Sequence, residues 1–361
     1  MKFSIKTEEL QEMVGRAIQC VTNNKLIPLT SLMSIAIKDN TLVLTTTDAT
    51  NFYYAYSRSD ITCEDFEVSV LADLFTKLVQ KTTSEMITIE VEGEILKVEG
   101  NGTYTFELPL DEGGVIKFPK KLSDTSIRED FGSIGLTKIK EAISINKASL
   151  ATGMEYPILT TYYCGECVAT SDRKKICRNA SKMFDKPILI SSVVMELLNT
   201  VSSENILVYE VDRAMIFEAE TETIYAPITD NVSEYPISAI ENFISGEFTS
   251  KCKVSRVDLL DVIERLALFV DAYDKKGIHL TFDSDGILLS SKKSSGKELI
   301  KFIESENFKP YTCCIDIEML RSQLASLVSE QIYLYYGSEI AIKLEDKNIT
   351  QIVALIDEGG N

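Results

Sequence analysis

A longer and a shorter amphipathic segment alternate three times along the chain. The longer ones start at residues 8, 136 and 256 and the shorter ones at 71, 191 and 317, so each returns after about 120 residues. Apolar residues three and four apart predict helices over 8–21, 71–81, 136–149, 191–201, 256–270 and 317–328. Between them, alternating patterns rich in β-branched and aromatic residues predict strands, among them 33–37, 42–47, 86–91, 206–211, 215–219 and 332–336. Turn residues break these runs at Asp39-Asn40, Glu92-Gly93, Asn101-Gly102, Gly165-Glu166, Asp285-Gly286 and Tyr336-Gly337. Such a chain folds as three copies of one α+β unit, two helices to a copy, with antiparallel sheet as the bulk.

The copies also close alike. Residues 108–114 read LPLDEGG and residues 354–360 read ALIDEGG, an offset of 354 − 108 = 246 residues, which is two repeat lengths. Residues 225–230, YAPITD, close the middle copy. Polar stretches near 120–131 and 245–250 place the boundaries, giving domains 1–122, 123–247 and 248–361.

With 45% hydrophobic and 25% charged residues, and only 17 Gly and 8 Pro in 361, the composition is that of a soluble folded protein and excludes long disorder. Lys and Arg number 37 against 55 Asp and Glu, a net charge of −18. That balance opposes a simple electrostatic grip on nucleic acid or on an anionic membrane. The six helical segments carry nine bases and ten acids, so the acid excess belongs to strands and loops. No apolar stretch reads as a signal peptide or membrane span, which makes the cytoplasm the expected location. The eight dispersed cysteines do not read as a disulfide framework.

Motifs of catalysis are lacking: there is no GxxxxGK[ST], GxSxG or HExxH. The single histidine, His279, stands in an alternating run and reads as a strand residue. Asp283-Ser-Asp-Gly286 resembles the opening of a calcium loop, but Ser294 occupies position 12, where a glutamate is needed, so a hairpin turn is the better reading. Cys164-Gly-Glu-Cys167, with Cys177 nearby, leaves a thiol or zinc enzyme as the alternative function. The simpler reading is a hairpin through Gly165-Glu166.

Seven short stretches, in order along the whole chain, carry a resemblance. They are MKFSIKTEEL at the start, Ile27-Pro28-Leu29, the strand LVLTTTD over 42–48, Tyr156-Pro-Ile-Leu-Thr160, Ala169-Thr-Ser-Asp172 with Arg173-Lys-Lys-Ile176, Tyr235-Pro236, and Gln351-Ile-Val353. Together they resemble the bacterial DNA polymerase III beta subunit, the sliding clamp. The resemblance implies an α+β fold of three repeated DNA-clamp domains, each with two helices packed on antiparallel sheets. It also implies that two subunits close head to tail into a ring around double-stranded DNA. A protein of that family is a processivity factor without catalysis or cofactor. It tethers the replicative DNA polymerase, the clamp loader and repair proteins through short hydrophobic peptides, held in a groove between the second and third domains. A ring also reconciles the charge, because a topological link needs only weak, sequence-independent phosphate contacts.

By family position the resemblance implies DNA contacts at Arg16, Lys25, Lys77, Lys81, Lys138, Lys140, Lys147, Tyr156, Arg173, Arg256, Arg265 and Arg321. The peptide groove corresponds to Leu159, Thr170, Ser171, Arg173, Ile176, Phe243, Ile352, Val353, Ala354, Leu355 and Ile356. The subunit interface corresponds to Phe106, Leu108, Leu268 and Phe269. Ordinary solvated helix faces and ordinary core are the plain alternatives for these bases and apolar residues. Two departures stand out: Arg173-Lys-Lys-Ile176 replaces a Gly-His-Arg-Leu stretch, and the chain ends on an acidic extension, 357–361, which points to basic peptide partners.

Overall fold

The structure, a computed structural model, describes residues 1–121, 127–153, 155–270, 277–291 and 296–357. Its recurrent device is a strand that runs straight into a helix. Lys2–Lys6 leads into α1 (Thr7–Ala17), Phe66–Leu71 into α2 (Ala72–Lys81), Glu129–Gly135 into α3 (Leu136–Asn146) and Ile188–Ser191 into α4 (Ser192–Asn199). After a short α5 (Ile237–Ile244), Ser250–Ser255 leads into α6 (Arg256–Ala267) and Tyr311–Asp316 into α7 (Ile317–Ser326). The six helices expected from apolar spacing are all present, and α5 is an addition. Single turns of 3₁₀ helix, Ile18–Cys20 and Lys147–Ser149, finish α1 and α3. None of the described helices is long and apolar enough to cross a membrane.

The helices start where the chain leaves the sheet because the last strand residue is extended and, in two cases, caps. The Ser255 hydroxyl accepts from the Asp258 N–H, and the Asp316 carboxylate accepts from the N–H groups of Glu318 and Met319. Each takes up helix-end donors that have no partner within the helix. Buried Leu10, Met13, Val14 and Ala17 form the inner stripe of α1, and Leu320 and Leu324 that of α7.

The chain forms two compact units. One comprises 1–139 and 193–229, the other 140–192 and 230–361. In the first, a four-stranded antiparallel sheet runs in the order Lys2–Lys6, Met86–Glu92, Ile95–Glu99, Thr103–Glu107. An eight-stranded sheet is built from two runs of four, joined where Glu222–Pro227 pairs with Phe52–Tyr56 in the register Glu222 to Ala55. Helices α1 and α2 pack on each other in this unit. Its hairpins at Asp39-Asn40 and Asp212-Arg213 hold both residues at positive φ, between 47° and 62°. That is the two-residue turn whose twist suits paired strands.

The second unit repeats the plan. Its four-stranded sheet runs Lys297–Lys301, Gly286–Ser291, Gly277–Asp283, Tyr311–Asp316. Its nine-stranded sheet also consists of two runs, joined where Lys175–Asn179 pairs with Ile349–Ala354 in the register Ile176 to Ile352. Helices α6 and α7 pack together over a core that includes Leu259, Ile263, Leu280, Leu320, Leu334 and Ile342. His279 lies on a strand, and the Asp283–Gly286 stretch is a hairpin turn.

Candidate functional site

The strand pair that joins the two halves of the nine-stranded sheet has two different faces. On one, Ile176 and Ile352 meet Leu159, Ala169, Tyr235, Ile240 and Ala341 in an apolar cluster, with α5 packed over the last strand. Leu159, Thr170, Ser171, Ile176, Ile352 and Val353 are all buried, whereas Phe243 on α5 is 47% exposed. Ala354, Leu355 and Ile356 are half-buried. Their N–H groups donate to the carbonyls of Lys174, Ile340 and Cys314 at 2.8, 2.9 and 2.8 Å, so the segment is pinned by three different parts of the unit.

Two openings flank this pinned segment. An apolar cavity of about 270 Å³ is lined by Phe243, Gly246, Phe248, Ile340 and Ala341, among others. A second, of about 600 Å³, has Leu150, Ala151 and Met319 in its lining together with Glu155, Tyr156, Asp172, Arg173, Lys174 and Lys175. The Arg173 guanidinium lies 4.3 Å from the centre of the Tyr156 ring. Of the apolar residues expected in a peptide groove, the structure thus sets most in the wall beneath and leaves Phe243 at the surface.

The other face of the strand pair joins the apolar core of α6 and α7 through Cys177, Ile349 and Val353, and it holds a buried polar network that was not anticipated. Asn146, Gln323 and Gln351 are fully buried there. Asn146 Nδ2 donates to the carbonyls of Val168 and Cys177 and to Thr170 Oγ1, whose own hydroxyl donates to the Asn146 carbonyl at 2.8 Å. Gln323 Nε2 donates to Ser149 Oγ and Gln351 Nε2 to Ser326 Oγ, both at 2.8 Å. Thr170 therefore belongs to an internal network that ties the ends of α3 and α7 to the strand pair. The signal in the sequence was a glutamine, Gln323, three residues after Leu320 on an otherwise apolar stripe.

The bases expected to meet DNA divide into two groups. Arg16 is ion-paired to Glu222, which is 1% exposed and also accepts from Ser202, and lies 3.5 Å from Glu12. Arg256 donates to the carbonyls of Ser329 and Leu324. Arg265 forms a two-pronged pair with Glu298 at 2.9 and 2.8 Å, Arg321 pairs with Glu318 at 2.5 Å, and Lys77 pairs with Asp73 at 3.1 Å. Lys25, Lys81, Lys138, Lys140 and Lys147 are exposed. Lys25 and Tyr156 occupy matching loops. Each loop enters a proline-led 3₁₀ turn, Pro28–Ser31 or Pro157–Thr160, through a residue of nearly the same backbone angles: Ile27 at φ −131°, ψ 82° and Tyr156 at φ −133°, ψ 78°.

Of the expected interface residues, Phe106 and Leu108 are buried, Phe106 edge-on to Phe75 at 6.0 Å. Leu268 and Phe269, just past α6, are 82% and 54% exposed. Among the described residues, strands Thr103–Glu107 and Lys297–Lys301 each lie at the edge of a four-stranded sheet, with one side unpaired.

Thiol chemistry finds no support. Cys164 and Cys177 are fully buried, Cys167 nearly so, and burial raises all three thiols, Cys177 to about 12. Thiols so held stay protonated and unreactive. Among the described residues no group of three or more His, Cys, Asp or Glu could hold a metal ion. Cys164 and Val168 close a hairpin.

Residues 1–112 match the family model of the DNA polymerase III beta subunit, N-terminal domain. No curated protein matches the chain in sequence. Solved structures match over its full length. The DNA polymerase sliding clamp from Bacillus subtilis superposes with a TM-score of 0.85 at 16% identity, covering 99% of this chain and 100% of that one. DNA polymerase III beta chain from Streptococcus pneumoniae gives 0.85 at 15% identity, with 99% of each chain covered. DNA polymerase III subunit beta from Borrelia burgdorferi, solved in complex with a natural product, gives 0.82 at 17%, covering 99% of this chain and 100% of that one.

Proposed function

We propose, from the match of residues 1–112 to the N-terminal domain model of the DNA polymerase III beta subunit and from the sliding-clamp fold throughout the chain, that it is a homodimeric, non-catalytic processivity factor of the cytoplasm. Two copies would close into a ring around duplex DNA and tether a replicative polymerase, a clamp loader and repair proteins. The observation that carries this reading is the end-to-end agreement in fold, 99% of this chain against 100% of a sliding clamp. A partial likeness would leave room for a different assembly.

Three features support the finer statements. The thrice-repeated pair of strand-to-helix junctions supports domains at 1–122, 123–247 and 248–361. The unpaired edges Thr103–Glu107 and Lys297–Lys301, with exposed Leu268 and Phe269 close in space to the start of the second, support head-to-tail pairing of copies. Such an interface uses two different surfaces, and a rotation that closes gives a ring. The apolar cavity beside Phe243 supports capture of a hydrophobic peptide.

The charge pattern supports sliding rather than gripping. Arg16, Lys77, Arg265 and Arg321 are already paired with carboxylates, so each offers a duplex little net charge. Weak phosphate contact lets a linked protein move along DNA. The test is retention on nicked circular DNA after loading, compared with the same DNA cut once. Retention on the circle and loss from the linear form is the expected result; equal retention on both would remove the topological reading.

A further inference from the structure

We propose that the two joins between neighbouring repeats carry different polar marks, and that these marks let each joining strand accept only its own partner. The joins are built on one plan. In the turn before the first strand of each, Asp48 Oδ1 accepts from the N–H groups of Thr50 and Asn51, and Asp172 Oδ1 from those of Lys174 and Lys175. The residue after the aspartate, Ala49 or Arg173, has positive φ, 88° or 76°. The strands then pair in the same register, Tyr53 opposite Ile224 and Cys177 opposite Gln351. Behind them Thr46 Oγ1 donates to the carbonyl of Ala17, the last residue of α1, and Thr170 Oγ1 to that of Asn146, the last of α3. Past the partner strand, the Ile228 N–H donates to the Arg213 carbonyl and the Leu355 N–H to the Ile340 carbonyl, at 2.8 and 2.9 Å.

On this shared plan the contacts from one repeat to the next differ in chemistry. At the first join Arg16, next to last in α1, pairs with Glu222, which opens its strand and is buried. The same two places at the second join hold Ile145, next to last in α3, and Ile349, which opens its strand; both belong to the apolar core of α6 and α7. The second join has a mark of its own. Gln323 on α7 donates to the hydroxyl of Ser149, where the 3₁₀ turn after α3 ends, at 2.8 Å, and both side chains are fully buried. At the first join that turn ends on Cys20 instead, and the buried residues of α4, the matching helix of the second repeat, are Val194, Met195, Leu197 and Leu198, all apolar.

Backbone pairing and apolar burial, alike at both joins, do not tell one repeat from another, within a chain or between two copies. The marks do. Were Ile349–Ala354 to pair with Phe52–Tyr56, Arg16 would face Ile349 and Gln323 would face Cys20. Were Glu222–Pro227 of a second copy to pair with Lys175–Asn179, buried Glu222 would face Ile145, and Ser149 an apolar helix. Each error leaves a charge or an amide in the core without its partner, which costs more than a lost apolar contact. A buried ion pair gains little over an apolar pair of similar volume, so its presence at one join and not the other fits selection among partners better than support of the fold. Misjoining is a characteristic error of chains built from similar repeats.

The test gives the first join what the second has at the same places, Arg16→Ile with Glu222→Ile, and makes two measurements on the intact chain. One is the urea midpoint. The other is the fraction recovered at native mass, by size-exclusion chromatography with light scattering, after rapid dilution from urea. The double variant should keep the native midpoint while its recovery falls about threefold; adding Ser149→Ala with Gln323→Leu, which erases the second mark, should bring the fall to about tenfold. Arg16→Ile alone should lower the midpoint, since Glu222 then stays buried without its cation. Recovery equal to that of the native chain in the fourfold variant overturns the proposal. So does a double variant whose midpoint drops as far as that of Arg16→Ile, or that does not fold, because the pair then supports the fold instead of choosing partners.

Discussion

Arg16 has the surroundings of a surface residue, with Glu12 one turn before it on α1, yet its guanidinium reaches a carboxylate 206 positions later. No spacing rule could have shown this, because the partner is chosen by how two distant strands pair. Glu222 is buried, so removing its cation leaves an uncompensated charge. Arg16→Ala is expected to cost about 3 kcal/mol, read as a lower urea midpoint. Asp346 is a buried acid with a clear pH signature. Its burial alone would raise the carboxyl, but hydrogen bonds from Ser329 and from the Val328 N–H outweigh this and hold it below the usual aspartate value. A lowered folded-state pKa contributes stability above the unfolded value and loses it as pH falls through the folded one. The stability gap between the native chain and Asp346→Asn should therefore be widest near neutrality and shrink below about pH 4; urea midpoints across that range check it. Cysteine placement makes a simpler statement. Cys63 is half-buried and the other seven are buried, so alkylation of the folded protein, mapped by mass spectrometry, should mark Cys63 alone.

The six expected helices were legible because each carries a buried stripe at helical spacing and starts directly from a strand. α5 carried the same signal, Ile237, Ile240 and Ile244, but it is only eight residues long, follows Pro236, and ends where the polar stretch 245–250, which reads as a boundary, begins. Its apolar residues cover the strand pair instead of belonging to one of the repeats. The groove was legible as a set of residues and not as a surface, since burial of Ile176 and Ile352 depends on α5 lying over them. The helix caps offer a direct measurement. Asp316→Ala removes the acceptor for two N–H groups at the start of α7 and should cost about 1 kcal/mol in thermal or urea unfolding. Gly286 is the most constrained turn position. Its φ is +150°, and an added Cβ would sit 2.0 Å from the Ile300 carbonyl oxygen. Gly286→Ala should lose well over 1 kcal/mol, because the strand Lys297–Lys301 must shift to admit it.

The threefold recurrence was the strongest message in the sequence, and it holds in the order of strands and helices from end to end. What the sequence alone did not disclose is that the large sheets cross the repeats: each contains strands drawn from two of them. The proposed ring makes assembly measurable. Light scattering should give about twice 40.3 kDa across a dilution series, and Leu268→Asp with Phe269→Ala should return a mass near 40.3 kDa without unfolding the chain. A native chain that scatters as 40.3 kDa at every concentration would leave the fold intact and the ring without support. The pairing of Phe52–Tyr56 with Glu222–Pro227 has a further consequence, for the time before the protein is complete. The earlier strand leaves the ribosome about 170 residues ahead of its neighbour, which at cellular synthesis rates is roughly 10 to 30 s. For that interval the strand Phe52-Tyr-Tyr-Ala-Tyr56 is without the neighbour that covers its edge in the complete fold. An open aromatic edge is a template for pairing with another chain, so incomplete chains of this protein are expected to associate through it.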